Sequence, residues 1–373
     1  MLTIRMLHFI SPRNITNKSR SLILVLILLT SVIPALCSYF KIFGVGRDYE
    51  TYKEIFDFLL ANGCRNQSNE YIISNIEFGF QELTCFFTYF SSDYDLISAV
   101  EIFVSMFIKM SLLLILLAKS NLIYTDFLAR FFAIFLIYIT RYYPLHEFTQ
   151  IRVSISIGFL FAATFCFKNI SDFYFSLEMK NFKITNTRRL IILSCLLLIA
   201  FSFHYSNILV IPLIYVASRV QSRKMLVVSS LLIFAFFTFT SSLLVNGLGG
   251  MFFSERLYSG SFDKVNPFSV FKILDILSFL IAFILVDFSV PIQAFFLSLV
   301  SYSLVLFYSF LLANLPDVYS FRFSEILIVF NAFLIISIKN KSHSLIIASM
   351  TILTSIISLL FYINNNYFIP FSK

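Results

Sequence analysis

Ser21–Phe40 reads SLILVLILLTSVIPALCSYF, and this stretch decides the fold class of the chain. It carries no charged residue, and its length matches the roughly 20 apolar residues that a helix needs to cross a hydrocarbon core about 30 Å thick. Apolar and polar residues do not alternate along it, as they would in a strand of a membrane β-barrel. The stretch therefore predicts a transmembrane helix.

The residues before this stretch indicate its orientation. Arg5, Arg13, Lys18 and Arg20 precede it without an acidic residue. A signal peptide has a similar layout, but this apolar run is longer than a typical signal-peptide core and no small-x-small cleavage site closes it. Because basic loops remain in the cytoplasm, we expect an uncleaved first span with a cytoplasmic N-terminus.

Apolar stretches of this kind recur along the chain. Of 373 residues, 59% are hydrophobic and 13% are charged, against about 25% charged residues in a soluble domain, and the mean hydropathy is +0.87. The predicted fold class is all-α: a polytopic integral membrane helical bundle of about 10–11 transmembrane helices, forming a single transmembrane domain over residues 1–373. Further spans are predicted near 96–118, 122–140, 150–168, 225–245, 269–287, 291–313, 322–338 and 343–363.

Two segments are harder to assign. The segment 76–90 is apolar but short and contains two glutamates, so it either lies at the membrane interface or re-enters the membrane. The segment 188–219 has basic residues at both ends and polar residues around His204, so it is either one long span or a hairpin. Only a hairpin places the basic loops on both sides of it, and the later loop at 339–341, in the cytoplasm. The hairpin gives eleven crossings.

On this topology the outer side holds two long loops, 41–95 and 246–268. The first contains an amphipathic pattern that predicts a helix lying on the membrane surface. Its apolar face consists of Tyr49, Tyr52, Phe56 and Leu59, and its polar face of Glu50, Lys53, Glu54 and Asp57. Cys64 and Cys85 fall in the same loop. They could form a disulfide if the loop faces an oxidising compartment, and the alternative is that they are simply small apolar residues.

The sequence lacks the motifs of several functional classes. It contains no Walker loop, GxGxxG, GxSxG or HExxH, which leaves ATP-driven transport, dinucleotide chemistry and zinc proteolysis without support. The excess of 28 basic over 20 acidic residues lies mostly in loops, where it is an orientation signal rather than a sign of nucleic-acid binding. The five cysteines and four histidines have no metal-ligand spacing, so we expect no metal and no bound cofactor.

Arginines near the outer ends of spans are candidates for substrate binding. Arg152 opens a predicted span one helical turn before Ser156, and Arg141 precedes it. A guanidinium there can hold a phosphate through two parallel hydrogen bonds, and an anchor at the membrane interface is the alternative. Arg256 and Arg322 add positive charge on the same side, where a structural role is the alternative.

Asp48, Glu77 and His204 are the candidate catalytic residues. Asp48 and Glu77 are the carboxylates nearest the outer surface that stand beside glycines. A general base can be a partly desolvated carboxylate, because burial raises its pKa, whereas helix capping is the alternative for Asp48. His204 is interpreted either as the polar cap of the hairpin or as a hydrogen-bonding residue of an active site.

Several of these residues belong to four short motifs. The motifs are Gly46-x-Asp48-x-x-x-Tyr52, Glu77-x-Gly79-Phe80, Arg152 followed by Gly158-Phe-Leu-Phe-Ala-Ala, and Phe203-His204-x-Ser206. In this order and spacing, over roughly residues 40–220, the chain resembles the EpsG-like family of exopolysaccharide polymerases, relatives of the Wzy O-antigen polymerases. The remainder is similar in hydrophobic profile and in an Arg256-x-Tyr258 element, where the family's form is looser.

The resemblance implies an enzyme of the bacterial inner membrane. It would be a multi-pass glycosyltransferase that makes O-antigen, capsule or exopolysaccharide by joining oligosaccharide repeat units carried on undecaprenyl diphosphate, at the periplasmic face. The implied partners are this lipid-linked oligosaccharide, the lipid bilayer and a chain-length regulator, with no nucleic acid. Asp48 or Glu77 would be the base and His204 would orient the acceptor. The arginines would bind the diphosphate and sugar: Arg152, Arg141, Arg256 and Arg322.

Two other classes use intramembrane charges. A lipid-linked oligosaccharide flippase, or another multispan transporter, should distribute basic residues along a path through the bilayer. Here Arg152, His204 and Arg256 gather toward one side, which favours the polymerase. A membrane acyltransferase should have a reactive histidine in a recognisable motif, and His146-Glu147 is weak support for one.

Overall fold

The structure is a computed structural model of the chain. It describes residues 17–42, 45–46, 48–63, 77–119, 124–147, 150–167, 186–252, 270–313, 317–338, 340–364 and 368–369. The chain divides into two compact units, which are described separately. The first comprises Met1–His204 together with Leu359–Lys373, and the second comprises Tyr205–Ser358.

The described residues of the first unit form helices and one short pair of strands. Val45 pairs with Ile369 and Gly46 with Phe368, in antiparallel orientation. In chain order the elements are α1 Asn17–Tyr39, β1 Val45–Gly46, α2 Tyr49–Asn62, α3 Phe78–Thr88, α4 Tyr94–Lys119, α5 Tyr124–Ile137, a π-helix Tyr138–Glu147, α6 Ile151–Thr164, α7 Asn186–Phe203 and β2 Phe368–Ile369.

The second unit is built around one helix that is buried along nearly its whole length, Pro291–Leu312. Its elements are α8 Asn207–Ala217, α9 Arg223–Phe252, α10 Val270–Leu285, α11 Pro291–Leu312, α12 Asp317–Ile328, α13 Asn331–Ser337 and α14 Lys341–Asn364, which belongs to the first unit from Leu359 onward.

The described residues confirm an all-α polytopic membrane bundle. Within the ranges given above, five helices are long and apolar enough, by length and composition, to cross a membrane: Ser21–Tyr39, Tyr94–Leu117, Arg223–Thr240, Pro291–Leu312 and Lys341–Asn364. Shorter apolar helices lie at Ile151–Thr164, Asn207–Ala217 and Phe323–Ser337. The chain is therefore a multi-pass membrane protein.

The side chains of α1 show how the protein meets the bilayer. Ile23 and Ile27 are buried against the protein, whereas Val25, Leu29 and Ile33 are exposed. In water such an apolar exposed face would be unfavourable, but in a membrane it contacts lipid chains. The helix is therefore apolar on every side, which is the pattern of a membrane span.

The segment predicted to be the first outer loop contains the predicted amphipathic helix. In α2 the side chains of Tyr52, Ile55, Phe56 and Leu59 are buried, whereas the polar face predicted from the sequence is exposed. The next helix, α3, has 11 residues and is roughly 16 Å long, too short to cross the hydrocarbon core. It carries Cys85, which is disulfide-bonded. Cys64, the partner expected from the sequence, lies outside the described residues.

The break predicted at His204 is present. Helix α7 ends at Phe203, and α8 begins at Asn207. The backbone N–H of His204 still donates to the carbonyl of Ala200 at 3.1 Å, so the last turn of α7 closes on the histidine. His204 therefore stands at the end of a helix, where its side chain can reach neighbouring elements.

Candidate active site

Three helix ends of the first unit meet at one point. Glu77 immediately precedes α3, Arg152 is the second residue of α6, and His204 directly follows α7. Glu77 is 9% exposed and His204 is 7% exposed. The Glu77 carboxylate makes no capping bond to its own helix, so it is available to the other two residues. The structure thus brings together three residues that are far apart in the sequence.

The contacts within this group are direct. Arg152 Nη1 donates to Glu77 Oε2 in a close ion pair, and His204 Nδ1 lies 3.2 Å from Glu77 Oε1. Arg152 Nε donates to Tyr52 Oη at 3.2 Å, and the guanidinium carbon lies 5.4 Å from the centre of the Tyr52 ring. We call Tyr52, Glu77, Arg152 and His204 the Arg152 cluster. Each carboxylate oxygen of Glu77 contacts a different member of the cluster, Oε2 contacting Arg152 and Oε1 contacting His204.

Gly79 permits the close approach of α3 to α7. A Cβ at this position would lie 2.9 Å from the backbone carbon of Ser202 and 3.0 Å from its carbonyl oxygen. Any side chain there would push α3 away from the end of α7, which carries His204. Close packing therefore requires the glycine of the Glu77-x-Gly79 motif, because its lack of a side chain lets Glu77 and His204 come within contact distance.

The electrostatic setting of Glu77 differs from that of a general base. Burial raises the pKa of the Glu77 carboxyl, but the Arg152 guanidinium and the hydrogen bond from His204 lower this pKa by more than burial raises it. The pKa of Glu77 therefore lies below its ordinary value. Glu77 is therefore ionised at neutral pH and bound to a cation. This arrangement suits an anionic partner of Arg152 and His204 better than a proton acceptor.

Asp48 stands beside the Arg152 cluster. It occupies the position before α2 but makes no side-chain capping bond, so the structure does not support the capping alternative. Its negative charge acts on both Arg152 and Tyr52. Asp48 is thus a second carboxylate, after Glu77, whose charge favours the protonated guanidinium of Arg152.

The other three predicted arginines have different placements. Arg141 lies in the π-helix, is 1% exposed and sits 5.6 Å from the ring centre of Tyr142. Arg256 lies outside the described residues. Arg322 lies in α12, but its side chain is outside the described part of the chain. The roles expected for these arginines remain predictions.

A second polar group in the first unit was not predicted from the sequence. Lys109, in the middle of α4, is fully buried and contacts Tyr138 Oη at 2.8 Å, as well as Glu147 and Ser154 in close hydrogen bonds. Tyr138 also donates to Glu147. We call Lys109, Tyr138, Glu147 and Ser154 the Lys109 cluster. An ionisable residue within an apolar helix was the sequence signal that could have found it.

The second unit has a buried ionic group of its own. Lys272 Nζ lies 3.0 Å from Glu325 Oε1 and 3.7 Å from Asp275 Oδ2, and 4.5 Å from the centre of the Phe307 ring. The same signal, charges inside apolar runs, marks these residues. Within the described ranges, no three His, Cys, Asp or Glu side chains converge as they would around a metal ion.

Comparison with known proteins agrees with the motifs that meet in the Arg152 cluster. The sequence model of the EpsG family matches residues 23–372. No curated protein and no solved structure matches the chain significantly. The match extends over both units and includes Asp48, Glu77, Arg152 and His204. The chain therefore belongs to the EpsG family, which is related to the exopolysaccharide and O-antigen polymerases.

Proposed function

We propose that this protein is a polysaccharide polymerase that joins lipid-linked oligosaccharide repeat units by glycosyl transfer. The observation that carries the proposal is the Arg152 cluster, in which a guanidinium, a carboxylate and an imidazole meet at three helix ends. Membership of the EpsG family supports the reaction class. The donor would be a repeat unit on undecaprenyl diphosphate, at the outer face of the bacterial inner membrane.

Arg152 is suited to stabilise the leaving group of the reaction, the lipid diphosphate. When the bond between the anomeric carbon and the diphosphate breaks, its electron pair stays on the diphosphate oxygen. A guanidinium stabilises that growing charge through charge-assisted hydrogen bonds. In the structure these donors are directed to Glu77 and Tyr52. The diphosphate would take the place of Glu77 on part of the guanidinium, and Tyr52 would keep the guanidinium in position.

His204 is suited to act as the base that takes the proton of the acceptor hydroxyl. His204 Nδ1 lies 3.2 Å from the Glu77 carboxylate. Enzymes use the same arrangement when a carboxylate orients a histidine that acts as a base. The acceptor hydroxyl would pass its proton to the other ring nitrogen, Nε2, as its oxygen bonds to the anomeric carbon. Glu77 would stabilise the resulting imidazolium. Asp48, the second carboxylate beside Arg152, is the alternative base.

The disulfide at Cys85 supports an outer location for this site. Disulfides persist in oxidising compartments such as the bacterial periplasm. Cys85 lies in α3, the helix that Glu77 precedes. A periplasmic site fits a reaction between exported repeat units, and a chain-length regulator would act at the same face.

Gene deletion and one substitution test the proposal. A deletion strain should accumulate single repeat units on the lipid carrier or transfer them singly, whereas complete loss of exported repeats would point to a flippase. An Arg152→Ala protein at native membrane level should make no long polymer. Arg219→Ala, which changes an exposed arginine that contacts Tyr215, is the matched control and should polymerise normally. Full polymerisation by Arg152→Ala would reject the role of Arg152.

A further inference from the structure

Arg152 sits just after a short connection between two helical segments. The π-helix ends at Glu147, α6 begins at Ile151, and Arg152 occupies the first turn of α6. The placement of its guanidinium therefore depends on where α6 starts. Glu77 and Tyr52 contact Arg152 from one side, but both lie on segments of the outer loop. Something must also fix the start of α6 itself.

Lys109 contacts both sides of this connection. Its ammonium group binds Glu147 before the connection and Ser154 after it. An ammonium group has three N–H donors, and the third is directed to Tyr138, at 2.8 Å. All three donors are therefore used, and Lys109 joins the end of the π-helix to the first turn of α6 through one atom.

The geometry of α6 separates this contact from the Arg152 cluster. Residues two positions apart on an α-helix point about 200° apart, so Ser154 and Arg152 face opposite sides. The packing of α6 on α4 is close on the Lys109 side, because a Cβ at Gly158 would lie 3.2 Å from Ile108 Cγ2. Lys109 therefore supports α6 from the side away from Glu77.

We propose that Lys109, through its bonds to Glu147 and Ser154, is the positioning residue for Arg152. It does not touch substrate. It fixes the start of α6, so that the Arg152 guanidinium meets Glu77 and Tyr52. The role of Arg152 in the reaction rests on the proposed function above, whereas the positioning of Arg152 can be measured without any activity.

The variants must separate positioning from folding. Lys109→Met alone leaves the buried Glu147 carboxylate without its cation, so its membrane level should fall. The double variant Lys109→Met/Glu147→Leu removes both charges and should recover the level, because apolar replacement of a buried pair is tolerated. Ser105→Ala is the control. Ser105 lies one turn from Lys109 and bonds Ser154 at 2.8 Å, but it does not join Glu147 to α6.

The first measurement is geometric. Cysteines replace Glu77 and Arg152, and a short bifunctional thiol reagent links them in the full-length protein, with single-cysteine variants as background. The cross-linked fraction should fall at least about threefold when Lys109→Met/Glu147→Leu is added and should not change with Ser105→Ala. Unchanged cross-linking in the double charge variant, at native membrane level, would overturn the proposal.

The second measurement is kinetic and uses the native residues at 77 and 152. The substrate is the lipid-linked repeat unit extracted from a deletion strain. The double charge variant should lower kcat by about tenfold or more, with a smaller change in KM, since a misplaced arginine stabilises less of the charge that grows on the leaving diphosphate. A wild-type KM and kcat in that variant would contradict the proposal. If the wild-type protein does not polymerise but the cross-link changes, the positioning role stands and the proposed function fails.

Discussion

Substituting Gly79 by alanine should separate Glu77 from His204. The new Cβ would meet the backbone carbon of Ser202 at 2.9 Å and its carbonyl oxygen at 3.0 Å, whereas ordinary contacts begin at 3.4 Å. Ser202 Oγ would lie nearer still, at 2.5 Å, but the two backbone atoms stay in the way, so rotation of the Ser202 side chain does not relieve the clash. The start of α3 must therefore move away from the end of α7 by about half an ångström.

The structure sets the size of the effect. The distance from His204 Nδ1 to Glu77 Oε1 is 3.2 Å, already at the long end of hydrogen-bond distances. A further half ångström breaks this bond, and a misplacement of that order lowers the rate by about ten- to a hundredfold. Overpacking costs about 1–3 kcal/mol of stability, and the better helix propensity of alanine offsets up to about 1 kcal/mol.

The assay compares polymer length and initial rate in membranes that contain equal amounts of protein. Glu82→Ala, an exposed position on the same helix, is the control and should behave as wild type. Removing the Ser202 hydroxyl as well, in Gly79→Ala/Ser202→Ala, should not rescue activity, because the blocking backbone atoms remain. A Gly79→Ala protein with wild-type level and rate would show that the close approach of α3 and α7 does not matter.

Other predictions concern single groups of the site. Glu77→Gln should move the acid limb of the pH–rate profile to lower pH, because the carboxylate that favours the protonated His204 is lost; an unmoved limb would remove His204 as the base. Tyr52→Phe loses the acceptor for Arg152 Nε but keeps the ring, so the rate should fall by less than about tenfold, and Tyr52→Leu should cost more. Asp48→Asn should keep its membrane level, since Asp48 caps no helix, but lower the rate; a normal rate would exclude Asp48 from the reaction.

The helices could be predicted from the sequence because the bilayer imposes a simple rule. A span needs a long apolar run, and runs such as Ser21–Phe40 and 291–313 became α1 and α11. The amphipathic face of α2 was equally visible, since its period of 3.6 separates apolar from charged positions. The division into two compact units was not visible, because it depends on contacts between helices that share one hydrophobic pattern.

The site could be predicted only in part. Asp48, Glu77, Arg152 and His204 were identified as candidates, but the sequence does not show that Arg152 and His204 share one carboxylate. That contact lowers the pKa of Glu77, whereas burial alone predicts a raised one. In the Lys109 cluster, only Lys109 stands out in the sequence, as a charge within an apolar run. Its three partners cannot be identified from the sequence, because only the packing of α4, α6 and the π-helix brings them together.

The pairing of β1 with β2 restricts the number of times that the chain can cross the membrane. Val45 and Gly46 follow α1, and Phe368 and Ile369 follow α14, yet the two segments are hydrogen-bonded to each other. Paired strands must lie on the same side of the bilayer. The chain between Gly46 and Phe368 therefore crosses the membrane an even number of times, and α1 makes the number odd from the start of α1 to Phe368. Eleven crossings satisfy this parity and ten do not.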